Sequence, residues 1–138
     1  MDFSHLKKLE IKDKTATYVM DQIEGDPSLT VKPSTEANKP FFNELLRTNK
    51  RSVKAVAKGS VTTELIDSNR DNNKRLFSKY VVVGWSGVTD SEGKAVTFSQ
   101  TNCLEFLEAL PNWIFDDINR FCSDPTNFVE QVDIDIKN

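Results

Sequence analysis

The residues that could carry nucleophilic or metal chemistry are few and lie far apart in the chain. His5 is the single histidine, and the two cysteines are Cys103 and Cys122. A Ser-His-Asp or Cys-His arrangement would have to use His5, which lies in a polar N-terminal stretch. A zinc site needs several converging ligands, and one histidine with two distant cysteines supplies too few. We therefore expect no catalytic residue, no metal site and no cofactor.

The acidic and glycine-containing segments also lack the pattern of a reactive site. Asp116 and Asp117 are neighbours, and side chains of neighbouring helical residues point about 100° apart, so the two should not share one site. The Asp-Ser-Glu-Gly segment at 90–93 lacks the remaining ligands of a calcium loop and predicts a reverse turn. Gly84 and Gly87 are not followed by the Lys-Ser or Lys-Thr of a phosphate loop. The sequence therefore predicts a protein that is not an enzyme.

Composition favours a protein-binding domain over a nucleic-acid-binding one. The chain has 138 residues, of which 38% are apolar and 28% are charged, with a formal net charge of −3. That length fits one domain, and an acidic chain is a poor general partner for nucleic acid. One local exception is a basic stretch without any acid: Arg47, Lys50, Arg51, Lys54 and Lys58. Its ordinary interpretation is a solvated helix face, and the alternatives are a surface for an anionic partner or a small DNA-binding regulator.

The same reasoning predicts a cytoplasmic protein without a membrane segment. No apolar run approaches the roughly 18 residues that a membrane span requires. The polar start Met1–Glu10 is not followed by the apolar run of a signal peptide. In the reducing cytosol, Cys103 and Cys122 are expected to be buried free thiols, whereas the alternative of a disulfide would need an oxidising compartment.

Turn and capping signals predict an α+β fold that is mainly α, with an N-terminal β-hairpin followed by about four helices in a compact bundle. Glu-Gly-Asp-Pro-Ser at 24–28 is a strong turn between two β-forming runs. Within a single domain spanning 1–138, we predict a hairpin at 14–33, a helical segment at 35–80, a Gly-Trp loop and turn at 81–98, C-terminal helices at 99–130 and a flexible tail at 131–138. The predicted helices are Thr35–Lys58, Thr62–Tyr80, Ser99–Leu110 and Pro111–Cys122.

Three segments leave alternatives open. The polar run 67–74 fits an exposed helix or a loop, and the lack of Gly and Pro favours the helix. Tyr80–Val83 has strand propensity but could be the buried end of that helix. The alternation in Val132–Ile136 could pair with another chain, as could the hairpin.

Apolar spacing predicts a core centred on the second half of the chain. Trp85 and Trp113 are ordinarily core residues, although either could instead anchor a partner, because tryptophan is enriched in interface hot spots. The predicted core residues are Phe77, Val81, Trp85, Phe98, Leu104, Leu107, Ile114, Ile118 and Phe121.

The segment around Trp85 carries a resemblance to a known family. A Gly-Trp-x-Gly turn is followed by Asp-x-x-Gly and then by a Val-x-Phe-Ser-x-x-Asn run that begins a helix. Across Tyr80–Phe128 this pattern resembles tail assembly chaperones of long-tailed, siphovirus-like bacteriophages and prophages. The matching residues are Val83, Gly84, Trp85, Ser86, Gly87, Val88, Asp90, Gly93, Val96, Phe98, Ser99, Asn102, Leu107 and Pro111.

This resemblance implies a non-catalytic morphogenetic protein that binds the tape measure protein until tail tube subunits displace it. Coating a long helical partner implies repeated weak contacts, so self-association is expected. Our candidate anchor is Trp113, at a helix start beside Pro111, and the second candidate is Phe115, which we expect to point away from the other apolar residues of its helix. The alternative is another phage structural or interaction module, such as a tail completion or head–tail joining protein.

Overall fold

The hairpin predicted near the N-terminus forms two strands of a three-stranded antiparallel sheet. The computed structural model describes residues 1–129, without the side chain of Arg51. Strands β1 (Ala16–Val19), β2 (Ser28–Val31) and β3 (Val82–Ser86) lie in the order β1-β2-β3. Gly25 and Asp26 both have positive φ, which lets the chain reverse between β1 and β2. The predicted C-terminal tail at 131–138, including Val132–Ile136, lies outside the described residues.

The remaining regular structure is helical. The α-helices are α1 (Lys39–Thr48), α2 (Lys50–Ala57), α3 (Thr63–Leu76), α4 (Gln100–Ala109) and α5 (Asn112–Ser123). A π-helical turn at Phe77–Val81 continues α3, and short 3₁₀ helices span Ser4–Leu9 and Pro125–Phe128. The predicted fold class, α+β and mainly α, is confirmed. Within residues 1–129, none of the helices combines the length and apolar character needed to cross a membrane.

Strand β3 occupies part of the segment that we predicted to be a loop. Residues Val82–Ser86 pair with β2, and Leu29 lies opposite Trp85. Both alternatives for Tyr80–Val83 are partly right, because the π-helical turn ends at Val81 and the strand begins at the next residue. The backbone N–H of Lys32 bonds to the carbonyl of Val81 at 2.8 Å, which holds the junction against the end of β2.

The single helix predicted over Thr35–Lys58 is divided. It begins at Lys39, because the Asn38 side chain caps it by accepting from the N–H of Phe41. At Asn49 the backbone leaves the ideal helical region, with φ −91° and ψ 1°, and α2 begins at the next residue. Helix α2 ends at Ala57, one residue before the predicted Lys58, and Gly59 then adopts φ +68°.

The core lies between the sheet and the helices, with Phe77 near its middle. The Phe77 ring packs edge-on against Phe41 of α1, with centroids 5.6 Å apart, and against Phe115 of α5 at 5.2 Å. Of the predicted core residues, five are buried: Phe77, Val81, Leu107, Ile114 and Ile118. Three are partly buried at its border, namely Trp85, Phe98 and Phe121. The prediction that Leu104 belongs to the core is wrong, because Leu104 is only partly buried and lines a surface groove between α1, α3 and α4.

Both thiols are fully buried, as predicted, and both are free. Burial raises the pKa of Cys103 and of Cys122 to about 12, so neither forms a nucleophilic thiolate near neutral pH. We expect iodoacetamide at pH 8 to leave the native protein unlabelled and to label both cysteines in denaturant, as measured by intact mass spectrometry. Rapid labelling of the folded protein would contradict the burial of these thiols.

Candidate partner-binding surface

The N-terminal half of α5 is fixed to two different elements by adjacent carboxylates. Asp116 accepts two hydrogen bonds from the Arg70 guanidinium of α3, Nε to Oδ1 at 3.1 Å and Nη2 to Oδ2 at 3.1 Å. Asp117 accepts from the hydroxyl of Tyr18 on β1 at 2.5 Å and from Arg120 at 2.8 Å. A forked arginine–carboxylate pair also fixes orientation. The two carboxylates therefore do not share one site, as helical geometry predicts, and together they brace α5 against α3 and the sheet.

The contact with β1 depends on a protonated phenol. Tyr18 is buried in the structure, and this burial, together with its hydrogen bond to Asp117, raises the pKa of Tyr18 to about 12. The hydroxyl is therefore protonated at neutral pH and donates to the charged carboxylate. The Tyr18 ring also packs edge-on against Phe121, with centroids 5.2 Å apart, so α5 is held by an apolar and a polar contact to the same side chain.

Trp113 lies on the surface at the start of this braced helix. Its side chain is 62% exposed, so its interpretation as a core residue is wrong and the exposure required of an anchor is present. Trp113 precedes Asp116 by about one helical turn, and the half-exposed Ile66 precedes Arg70 by about one turn. Along its own helix, each of these two exposed residues therefore lies about one turn from the Arg70–Asp116 ion pair. We call the exposed surface of Trp113 the Trp113 patch.

The second candidate anchor, Phe115, is not available to a partner. It is 1% exposed and packs against Phe77, and the Lys74 ammonium lies 5.6 Å from its ring centroid. The prediction that Phe115 points away from the core face of α5 is wrong. The buried side of this helix is wider than a single stripe, because α5 packs against the π-helical turn as well as the sheet, and it includes Phe115 together with Ile114 and Ile118.

A polar groove, which the sequence did not predict, runs between α1, α3 and α4. One part of it has a volume of about 420 Å³ and is lined by Arg47, Arg75, Lys79 and Leu104, among others. Each of these cations has a partner within the chain. Arg47 pairs with the carboxylate of Glu44, Arg75 bonds to the side-chain oxygen of Asn72, and Lys79 lies 5.2 Å from the centroid of the Tyr80 ring. These contacts argue against a dedicated anion site.

Short polar side chains that line this groove join the helices around it. Asn72 of α3 donates to the Thr48 hydroxyl of α1 at 2.7 Å, and the Ser52 hydroxyl of α2 donates to Asn69 of α3 at 2.6 Å. The regular spacing of Asn69 and Asn72 is a sequence signal that could have indicated a polar helix–helix contact. These hydrogen bonds along the groove therefore attach α1 and α2 to α3.

Comparison with known proteins assigns the chain to a family. Residues 36–138 match the family model described as YdaY prophage protein. The chain belongs to the YdaY prophage protein family. The match includes all five α-helices and β3, and it covers the region Tyr80–Phe128 that resembles tail assembly chaperones, whereas β1 and β2 precede it. Searches of curated proteins and of solved structures found no match. The prediction of a phage or prophage protein is confirmed as a prophage protein, and the role in tail assembly stays a prediction.

Proposed function

We propose that this prophage protein is a non-catalytic tail assembly chaperone in the cytoplasm of the bacterial host. It binds the tape measure protein during tail morphogenesis and is later displaced by tail tube subunits. Two findings support this function. The chain belongs to a prophage protein family, and Tyr80–Phe128 within the matched region resembles tail assembly chaperones.

The observation that carries the proposal is the exposed Trp113 on a helix that is already braced. Hot spots of protein interfaces are enriched in tryptophan, and truncation of such a residue costs at least about 2 kcal/mol. Because Arg70 and Tyr18 already hold α5 through Asp116 and Asp117, binding requires no ordering of this helix. The Trp113 patch thus offers a preorganised apolar contact that a partner can cover and later release.

A small patch gives a weak contact, which suits a chaperone that must later be displaced. One exposed tryptophan covers little area, and specific protein interfaces normally bury about 800 Å² on each partner. Several copies bound along one long helical partner would gain avidity without any single contact being strong. Self-association of the chain is therefore part of the proposal.

Co-expression with the tape measure protein of the same prophage tests this function. The wild type should keep the partner soluble and co-purify with it, and Trp113→Ala should weaken binding by about 30-fold, the equivalent of about 2 kcal/mol. Leu9→Ala is the matched control, because Leu9 is also exposed but lies in the N-terminal 3₁₀ helix. Failure of the wild type to bind or solubilise the partner would reject the chaperone function.

Mass spectrometry of purified virions separates the proposal from the alternative of a tail completion or head–tail joining protein. A chaperone that is displaced during assembly should be absent from particles, whereas a joining or completion protein should be present at a fixed copy number. Detection of this chain in mature particles would favour the alternative even if binding to the tape measure protein were observed.

A further inference from the structure

Helix α2 contacts its own chain through Ser52 and leaves its two valines exposed to solvent. Ser52 bonds to Asn69 of α3, whereas Val53 and Val56 are each 66% exposed. A surface helix normally turns its apolar stripe toward the core and its polar face toward water. The valines of α2 depart from this rule, and α2 therefore leaves apolar area exposed that its own fold does not bury.

The exposed apolar area extends from α2 onto the end of α1. The helical hydrogen bonding continues across Asn49, whose N–H bonds to the Leu45 carbonyl at 2.9 Å and whose own carbonyl accepts from Val53 at 3.1 Å. Leu46 precedes Val53 by two helical turns and is also exposed, at 57%. Residues at this spacing lie on one side of a helix. We call Leu46, Val53 and Val56 the α1–α2 stripe.

Positive charge borders the stripe. Lys50 and Lys54 alternate with its apolar residues in sequence, Lys58 follows them, and no acidic residue occurs between Glu44 and Glu64. All three lysines are exposed. In a chain whose net charge is −3, this segment is a local basic region that would attract an acidic surface.

We propose that the α1–α2 stripe binds an amphipathic helix of a partner protein whose apolar residues are bordered by Asp and Glu. A narrow stripe with anchors at helical spacing fits a helix packed along it, and the lysines pair with the acidic border. A nucleic acid would leave the apolar residues uncovered and would find no aromatic residue to stack on between the lysines. A lipid surface is less suitable, because interfacial helices bury a larger apolar face rich in Trp, Phe and Leu.

This inference deepens the proposed function, since it rests on that function for the source of the helix, which would be the tape measure protein. It adds a second surface and states the chemistry that the surface recognises. The Trp113 patch and the α1–α2 stripe lie on different helices, so variants can separate their contributions.

A designed helical peptide tests the stripe without the tape measure protein. The probe is a peptide of about four heptads with leucine at the apolar positions and Glu beside them, and its counterpart carries Lys in place of Glu. Isothermal titration calorimetry with the full chain should show binding of the Glu peptide at least about tenfold tighter than of the Lys peptide, weakening as salt is added. Equal affinity for both peptides, or no binding of the Glu peptide, would overturn the proposal.

Paired variants show whether the stripe itself is responsible. V53E/V56E should lose at least about tenfold in affinity for the Glu peptide, because like charges then meet an acidic partner. V19E is the matched control, since Val19 is a comparably exposed valine on β1 and should not change binding. Circular dichroism establishes that both variants are folded. An equal loss in the two variants would also overturn the proposal.

Two further titrations distinguish other occupants and keep this proposal separate from the proposed function. Tighter binding to phosphatidylglycerol vesicles or to duplex DNA than to the Glu peptide would assign the stripe to a membrane or a nucleic acid and reject a helical partner. If the peptide fails to bind while the tape measure protein still co-purifies, the chaperone function stands and the stripe proposal falls. If the peptide binds and the tape measure protein does not, the stripe proposal stands and the chaperone function falls.

Discussion

Truncating Phe77 to alanine is expected to lower the free energy of unfolding by about 3–5 kcal/mol. Phe77 is fully buried and its ring contacts both Phe41 and Phe115, so the truncation removes the contact shared by α1, α5 and the π-helical turn. Small domains are stable by only about 5–15 kcal/mol, so this loss is a large fraction of the total. Urea unfolding followed by far-ultraviolet circular dichroism measures it.

Phe3→Ala is the control for this prediction, because it makes the same chemical change at a side chain that is 60% exposed. We expect the free energy of unfolding of that variant to lie within about 0.5 kcal/mol of the wild-type value. If the two truncations destabilise the protein equally, Phe77 is not the centre of the core and the packing described for the π-helical turn is wrong.

The elements predicted well are those whose signals are local. Ser99 caps α4 by accepting from the N–H of Asn102 at 3.0 Å, and Pro111 stands immediately before α5. Both helices lie within one residue of their predicted bounds, because each boundary depends on residues only three or four positions away. The hairpin was predicted for the same reason, because the turn signal at 24–28 is local.

The elements that were missed depend on partners distant in sequence. Val82–Ser86 becomes a strand because β2, more than fifty residues earlier, offers its second edge for pairing. Local propensity could not separate this outcome from a buried helix end at Tyr80–Val83. The break at Asn49 also depends on a distant contact, since neither Gly nor Pro marks it in the sequence. The hydrogen bond from Ser52 to Asn69 of α3 fixes the position of α2.

The candidate surface shows the same division between local and distant causes. Periodicity indicates that α2 is amphipathic, but it cannot show which side faces the protein, and the contact of Ser52 with Asn69 decides this. Phe115 was misplaced because we assumed that α5 buries a single stripe. Trp113 is exposed since it lies at the first turn, beyond the contacts made by Asp116 and Asp117.

Replacing Asn38 with alanine should lower the free energy of unfolding by about 2–4 kcal/mol, although no aromatic packing is lost. Its side-chain nitrogen donates to the carbonyls of Pro33 at 3.1 Å and Tyr80 at 2.9 Å, and its oxygen accepts from the N–H of Phe41 at 3.4 Å. Asn38 is buried, so the substitution leaves these three backbone groups without their side-chain hydrogen-bond partner at a place where water has little access. It would thereby loosen the start of α1 from the π-helical turn.

Ser99→Ala separates the loss of a helix cap from the loss of these tertiary hydrogen bonds. Ser99 caps α4 through one hydrogen bond to Asn102, so its removal should cost only about 1 kcal/mol. The difference between the two variants in urea unfolding measures what the Asn38 amide contributes by donating to Pro33 and Tyr80. Because the side-chain oxygen of Asn38 accepts from the N–H of Phe41, Asn38→Ala should also increase hydrogen exchange at the Phe41 amide. Equal destabilisation by the two substitutions would show that Asn38 acts only as a cap.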